Sequence, residues 1–302
     1  MSARPLRPRN PYALYLIPGV IAFLAVVIVP FAMNIYFSLT HWQGVGSPTW
    51  AGLENYQELM KDSRFWESFR HSVAMVLAMA VIPTAVGLVV AAALFDFIGK
   101  HFGSKLASVL RACFYLPQVL PITVAGIVWS WILAPENGSL NELLKAVGLG
   151  SLQQDWLGDP DFALYSVMAV MVWVQLGFPV VIFMAGLQRV DPSLYEAAEL
   201  DGTNWWQRFW HVTLPQIRPE IHVVMLWCTI AALKVFGAVY VLTKGGPADA
   251  TIVPSYFSFS TFFEKTDVGY GSAASTMVFF VIALMTALYL TAVRLDLDGR
   301  RR

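Results

Sequence analysis

Long stretches without a charged residue alternate with short polar ones along this chain. Pro11 to Thr40, Ser72 to Phe95, Ala112 to Pro135, Ala163 to Gln188 and Gly271 to Val293 contain no Asp, Glu, Lys or Arg. A sixth stretch, Ile221 to Thr243, is interrupted by His222 and Lys234. A helix crossing the hydrocarbon core of a bilayer needs about 20 mostly apolar residues, and only internally hydrogen-bonded segments survive there. Core helices of soluble proteins run shorter and carry a polar face. The pattern predicts an all-α integral membrane protein with six transmembrane helices, at about 13–40, 72–95, 110–134, 163–187, 221–243 and 272–294. The first stretch is too long for a signal-peptide core and no small-residue cleavage site follows it, so it is expected to be retained. Between the spans, Ala51 to Arg70 and Leu140 to Val147 have the spacing of amphipathic surface helices.

Composition supports the membrane reading: 57% of the 302 residues are apolar and 13% are charged, so lipid is an expected partner. The formal net charge is zero, which gives no sign of a nucleic-acid partner. Cys113 and Cys228 fall inside predicted spans, as small apolar packers rather than a disulfide. Lys and Arg set the orientation. Arg4, Arg7, Arg9, Lys100, Lys105, Arg111, Arg189, Arg208, Arg218, Arg294, Arg300, Arg301 and Arg302 fall on the side of the N-terminus. Lys61, Arg64, Arg70, Lys145, Lys244 and Lys265 fall on the other. Positive charge collects on the cytoplasmic side of membrane proteins. This bias predicts both termini inside, with a cytoplasmic segment at 1–12, a basic tail at 295–302 and a cytoplasmic loop at 188–219.

That loop carries its own local code. Asp191 suits an N-cap and Pro192 the first helical position, so a short helix is expected over Ser193 to Leu200. Gly202 supplies a left-handed residue to end it. Asn204 and Gln207 form a candidate capping box for a second helix, whose Trp205, Trp206, Phe209 and Trp210 recur on one broad face. Pro215 is expected to stop that helix. The product is a bent two-helix knob. An interfacial helix whose tryptophans rest among lipid headgroups is the alternative on aromatic content alone.

The spacing of Glu196-Ala197-Ala198, Gly202, Val212, Leu214 and Pro215 in this loop resembles the E-A-A-x-x-x-G-x(9)-[aliphatic]-x-L-P motif of binding-protein-dependent ABC importer permeases, with Val212 standing where isoleucine is usual. Gly52-Leu53-Glu54-Asn55-Tyr56, Phe114-Tyr115-Leu116-Pro117 and Tyr240-Val241-Leu242-Thr243-Lys244-Gly245-Gly246-Pro247 are similar, in this order, to segments of the carbohydrate, maltose-transporter type. The resemblance implies a compact six-helix permease without the extra N-terminal helices and large external domain of some relatives. It implies that Glu196, Ala197, Ala198, Gly202, Val212, Leu214 and Pro215 dock on an ATPase subunit. The implied assembly holds a second, homologous permease, two ATP-binding subunits carrying the ATP and Mg, and an extracytoplasmic solute-binding lipoprotein, in a bacterial or archaeal cytoplasmic membrane. The chain itself would be a transport subunit rather than an enzyme, and would import a sugar or oligosaccharide. A glycerol-phosphate or glycerophosphodiester solute is the runner-up.

Motif absences point the same way. The sequence has no G-x-x-x-x-G-K-[ST] phosphate loop, no H-E-x-x-H metal pair and no G-x-S-x-G elbow, so no cofactor, metal or catalytic residue is assigned to it. A secondary transporter would call for coupling carboxylates inside the spans, and none occurs there. A membrane scaffold remains the other rival. Polar groups at membrane depth are costly and mark a pathway or glue helices together. Gln118, Thr123, Ser130, Gln175 and Lys234 are the polar candidates, with Trp129, Trp131, Trp173 and Tyr240 as aromatic partners. A ring can face the C–H surface of a sugar while amides bind its hydroxyls. Lys234 lies about 13 Å from the predicted helix end at ~1.5 Å per residue, and a charge at mid-bilayer costs about 2.5–3.5 kcal/mol on insertion scales, so it is expected to face protein or water. Pro83, Pro117, Pro121 and Pro179 are expected to kink their helices.

Overall fold

A computed structural model describes residues 13–98 and 102–299. Arg4, Arg7, Arg9, Lys100, Arg300, Arg301, Arg302 and the expected segment at 1–12 lie outside the described residues. In chain order, α1 covers 13–38, α2 Glu54–Lys61 and α3 63–98. Then follow α4 Ser104–Val119, α5 Ile122–Ile132, α6 Ser139–Ala146 and α7, covering 160–187. The remaining helices are α8 Pro192–Leu200, α9 over 205–216, α10 Arg218–Leu233, α11 Gly237–Leu242, α12 over 254–264 and α13 Val268–Gly299. A two-residue antiparallel ladder, Thr40–His41 with Thr49–Trp50, joins them. Among the described residues four helices, Tyr15–Ser38, Ser63–Phe95, Pro160–Leu187 and Val268–Arg294, are long and apolar enough to cross a membrane. The α4–α5 pair brings this to five if it counts as one span.

The fold therefore departs from six simple spans in two places. The third predicted span is broken at Leu120–Pro121, where α4 and α5 meet at 96°. Pro121 removes a donor and its ring forces Leu120 out of the helical region; Leu120 is extended, with ψ 134°. The fifth is broken at Lys234, Val235 and Phe236, between α10 and α11. The expected surface helix at 51–70 also divides, at Asp62, whose side chain accepts from the Arg64 and Phe65 amides and starts a helix that runs on through the second span. The last helix extends to Gly299, past the expected boundary at 294.

Prolines inside the other spans are absorbed rather than bent. Pro83 follows the widened π-helical turn Leu77–Val81, and Pro30 follows Leu24–Ile28, each two residues on. A widened turn relieves the clash of the proline ring with the preceding turn. Pro179 follows a one-residue interruption at Leu176, where the Pro160–Leu187 span divides into Pro160–Gln175 and Gly177–Leu187 while Leu176 itself keeps helical dihedrals.

The chain forms two compact units. The first comprises the chain up to Lys61 together with Ser258–Met277. There Asn34 donates to Thr276 Oγ1 at 2.8 Å and accepts from Ser275 at 3.1 Å, fastening α1 to α13. Buried Asn55 donates to the Ser38 and Thr40 carbonyls, both at 2.9 Å.

The second unit holds Asp62–Phe257 and Val278–Arg302. Its helices approach closely through small residues, as expected where packing must replace the hydrophobic drive. A Cβ on Gly87 would lie 2.6 Å from Pro179, and one on Gly177 would lie 2.5 Å from the Phe114 carbonyl oxygen. These contacts draw α3 and α4 onto α7. Leu88, Ala91, Val180, Phe183, Leu187 and Val224 are buried between the helices.

Candidate functional site

The 191–216 segment is a knob of two helices with a defined bend. Asp191 caps α8 by accepting the Ser193 amide at 2.9 Å. That bond holds the Asp191 carboxyl below its ordinary range. At the far end Gly202 sits at φ +72°, with the Thr203 amide donating to the Ala198 carbonyl and the Gly202 amide to the Glu199 carbonyl. This is a Schellman ending, which requires a left-handed residue after the helix. The Thr203 hydroxyl adds a 2.6 Å bond to the Ala198 carbonyl. Asn204 and Gln207 then form the capping box, at 2.8 and 2.9 Å.

Pro215 does not end the second helix. The chain widens into a π-helical turn over Phe209–Thr213 and continues through Gln216, so the proline is accommodated as Pro83 is. Nor do the four aromatics share one face. Phe209 is buried, Trp205 stacks on it at 5.2 Å and is half-buried, and Trp206 and Trp210 stay more than half exposed. Phe209 and Ile217 belong to the same buried cluster as Leu88, Phe183 and Leu187, with Trp205 and Leu214 packed against it. The knob is thereby rooted in the core of the membrane helices.

Of the residues expected to dock, Glu196, Ala197, Gly202 and Pro215 are exposed and Val212 and Leu214 half-buried. Ala198 is buried and packs inward, leaving Ala197 as the open small residue. The side chains that fix the bend were not singled out from sequence. Glu199 pairs with Arg208, and Tyr195 bonds to buried Thr213 at 3.2 Å. Tyr195 and Glu199 stand four residues apart on α8 and so share the face turned to α9.

The candidates for a solute pathway are only partly brought together. Trp129 of α5 and Trp173 of α7 meet edge to face at 5.4 Å. Trp129 borders a cavity of about 220 Å³ with Trp156, Phe162, Tyr165 and Ser166, and Trp173 borders another of about 310 Å³ with Cys113, Phe114 and Pro117. Half-buried Gln118 has a buried, unpartnered Oε1. Gln175 instead donates to Cys228 Sγ at 3.4 Å within the protein. Ser130 bonds back to the Ile127 carbonyl at 2.8 Å, and Thr123 and Trp131 are exposed. Lys234 is exposed at the end of α10, where the helix breaks. Tyr240 stacks on Phe236 at 5.4 Å beside Tyr256, two rings the sequence did not bring forward. Among the described residues no group of three or more His, Cys, Asp or Glu is placed to hold a metal.

Residues 84–297 match the family described as "Binding-protein-dependent transport system inner membrane component". The chain belongs to that family. It is 35% identical over 279 residues to the Bacillus subtilis (strain 168) protein named "Probable ABC transporter permease protein YurN", covering 92% of this chain and 94% of that one. It is 31% identical to the trehalose/maltose transport system permease protein MalF of Thermococcus litoralis, covering 94% of each. Its fold matches a chain in the crystal structure of a bacterial ABC transporter involved in the import of the acidic polysaccharide alginate, with a TM-score of 0.78 at 21% identity over 94% of each chain. The protein is thus an ABC importer permease subunit embedded in the membrane.

Proposed function

We propose that this permease forms half of the import pathway for a carbohydrate, and that the 191–216 knob is the element through which ATP hydrolysis drives it. The observation that carries this reading is the rooting of Phe209 and Ile217 in the core shared by α3 and α7. A push on the knob must move those helices, because a close-packed interior transmits strain. The exposed Glu196, Ala197, Trp206 and Trp210 are the surface offered to an ATP-binding subunit. The bent α4–α5 pair and the broken α10–α11 pair supply the third and fifth spans of a six-span permease with both termini in the cytoplasm. The partners are a second permease, two ATP-binding subunits that hold ATP and Mg, and an external solute-binding protein.

Sugar is favoured by the Trp129–Trp173 pair beside two cavities and by a relative that is named for trehalose and maltose. The solute would be exposed alternately to the two sides as the knob follows the ATP-binding subunits. Coexpression with those subunits tests the assignment: the expected result is copurification and ATP hydrolysis that rises when sugar-loaded binding protein is added. Hydrolysis indifferent to that protein would overturn coupling. Uptake of glycerophosphodiesters but not of sugars would overturn the substrate class.

A further inference from the structure

The knob is closed at its base by an ion pair that none of the docking residues contributes to. Arg189, two residues before the Asp191 cap, pairs with Glu220, which lies in the first turn of α10. The Glu220 side chain is only 12% exposed while the Arg189 side chain is 72% exposed. Gly186 makes the seat: a Cβ there would lie 3.0 Å from Glu220 Cγ and 3.2 Å from Cδ. Glu220 Oε2 is buried without a hydrogen-bond partner, so Arg189 provides the compensation for this carboxylate. The pair lines a cleft of about 530 Å³, with Ile182 and Val190 from the chain entering the knob and Gln216, Pro219 and Val223 from the chain leaving it.

We propose that Arg189 and Glu220 are positioning residues, a latch that fixes the tilt of the knob on the membrane helices and so sets how much transport each ATP produces. The proposal rests on the coupling role of the knob and deepens it. The latch joins the two strands of chain through which any displacement of the knob must pass, and beside it is a cleft into which they can swing. A buried carboxylate deprived of its cation is strongly disfavoured, so releasing the latch moves Glu220 and with it the start of α10. The knob then still meets its partner, but part of its displacement is spent in the cleft.

The test uses the complete transporter in proteoliposomes, with ATP hydrolysis and solute uptake measured on the same preparation. Arg189→Gln alters an exposed side chain and is expected to assemble normally. It should raise the ATP hydrolysed per solute imported about fivefold, the lower end of typical coupling energies. Arg189→Lys, which keeps the charge, should stay close to the wild type. In the double variant Arg189→Gln with Glu220→Gln, no buried charge is stranded, and the ratio should fall back towards the wild type. An unchanged ratio in Arg189→Gln, or hydrolysis and uptake falling in parallel, overturns the latch. Gly202→Val run alongside separates the two ideas: if it abolishes uptake while Arg189→Gln changes nothing, the knob couples and the latch does not exist. If both leave uptake intact, the coupling reading itself has failed.

Discussion

The knob at 191–216 and the candidate pathway around Trp129, Trp173 and Lys234 are built in opposite ways. In the knob the caps and the backbone of the bend are set by near neighbours in sequence, Asp191 with Ser193, Gly202 with Thr203 and Asn204 with Gln207, and the pairs Glu199–Arg208 and Tyr195–Thr213 that hold the bend reach only nine and eighteen residues. In the pathway the decisive contacts join residues tens of positions apart, as Trp129 with Trp173 or Gln175 with Cys228. Local chemistry can specify a rigid shape wherever the chain is placed. A cavity needs helices that already know where they stand. The division suits the tasks proposed for them, since a docking element must hold one shape while a pathway must have two.

The largest test of that contrast strikes the point where the knob meets the core. Phe209→Ala removes a buried ring from the cluster it shares with Phe183 and Leu187, which should cost about 3–5 kcal/mol. The expected outcome is a lower melting temperature of the purified subunit together with lost uptake. A melting temperature within error of the wild type would mean that the knob is not rooted as described.

Gly202 comes next. No atom lies within 4 Å of an added Cβ, so crowding plays no part and the strain comes from φ +72° alone. An L side chain pays about 1–2 kcal/mol there, with Asn the best tolerated. Uptake should therefore rank Gly above Asn above Ala above Val, with the subunit still present in the membrane throughout. A flat series would show that the bend does not matter to transport.

In the pathway a smaller and different effect is expected. Trp173→Phe keeps a ring against Trp129, whereas Trp173→Ala leaves Trp129 without its partner; aromatic pairs are worth about 0.5–1.5 kcal/mol beyond burial. If the pair lines the route, Trp173→Ala raises the KM for uptake and leaves solute-independent ATP hydrolysis unchanged. Equal changes in both would mark the pair as helix packing.

The same contrast explains what could be read from the sequence. Caps, the glycine bend and the charge-free runs follow rules of a few residues, so α8, the start of α9 and most spans were legible. At Pro215 and Pro83 the helix departs from the sequence expectation for one reason: a proline's cost can be met by a widened turn, and whether a helix bends or widens depends on what packs around it. The 96° break at Leu120–Pro121 and the gap at Lys234 likewise depend on tertiary support, since bare backbone groups at membrane depth must be satisfied by neighbouring elements. Ala198 and the Glu199–Arg208 pair were hidden because the facing of α8 on α9 is set by the bend and not by either helix alone.

The smallest effect lies at the first residue of the knob and separates a charge from a hydrogen bond. Asp191 accepts the Ser193 amide, and this bond lowers its pKa. A carboxyl whose folded pKa is depressed stabilises the fold at pH above its ordinary range, and loses that contribution as pH falls through the lowered value. The amides of Ser193 and Leu194 should accordingly keep their hydrogen-exchange protection at neutral pH and lose part of it in acid, after correction for intrinsic exchange. Asp191→Asn retains an acceptor for the cap but cannot titrate, so its protection should be slightly lower at neutral pH and flat as the pH falls. If the Asn variant shows the same acid loss, the pH dependence arises elsewhere in the knob. If neither chain responds to acid, the start of α8 is held by its packing and the cap is incidental to the shape of the knob.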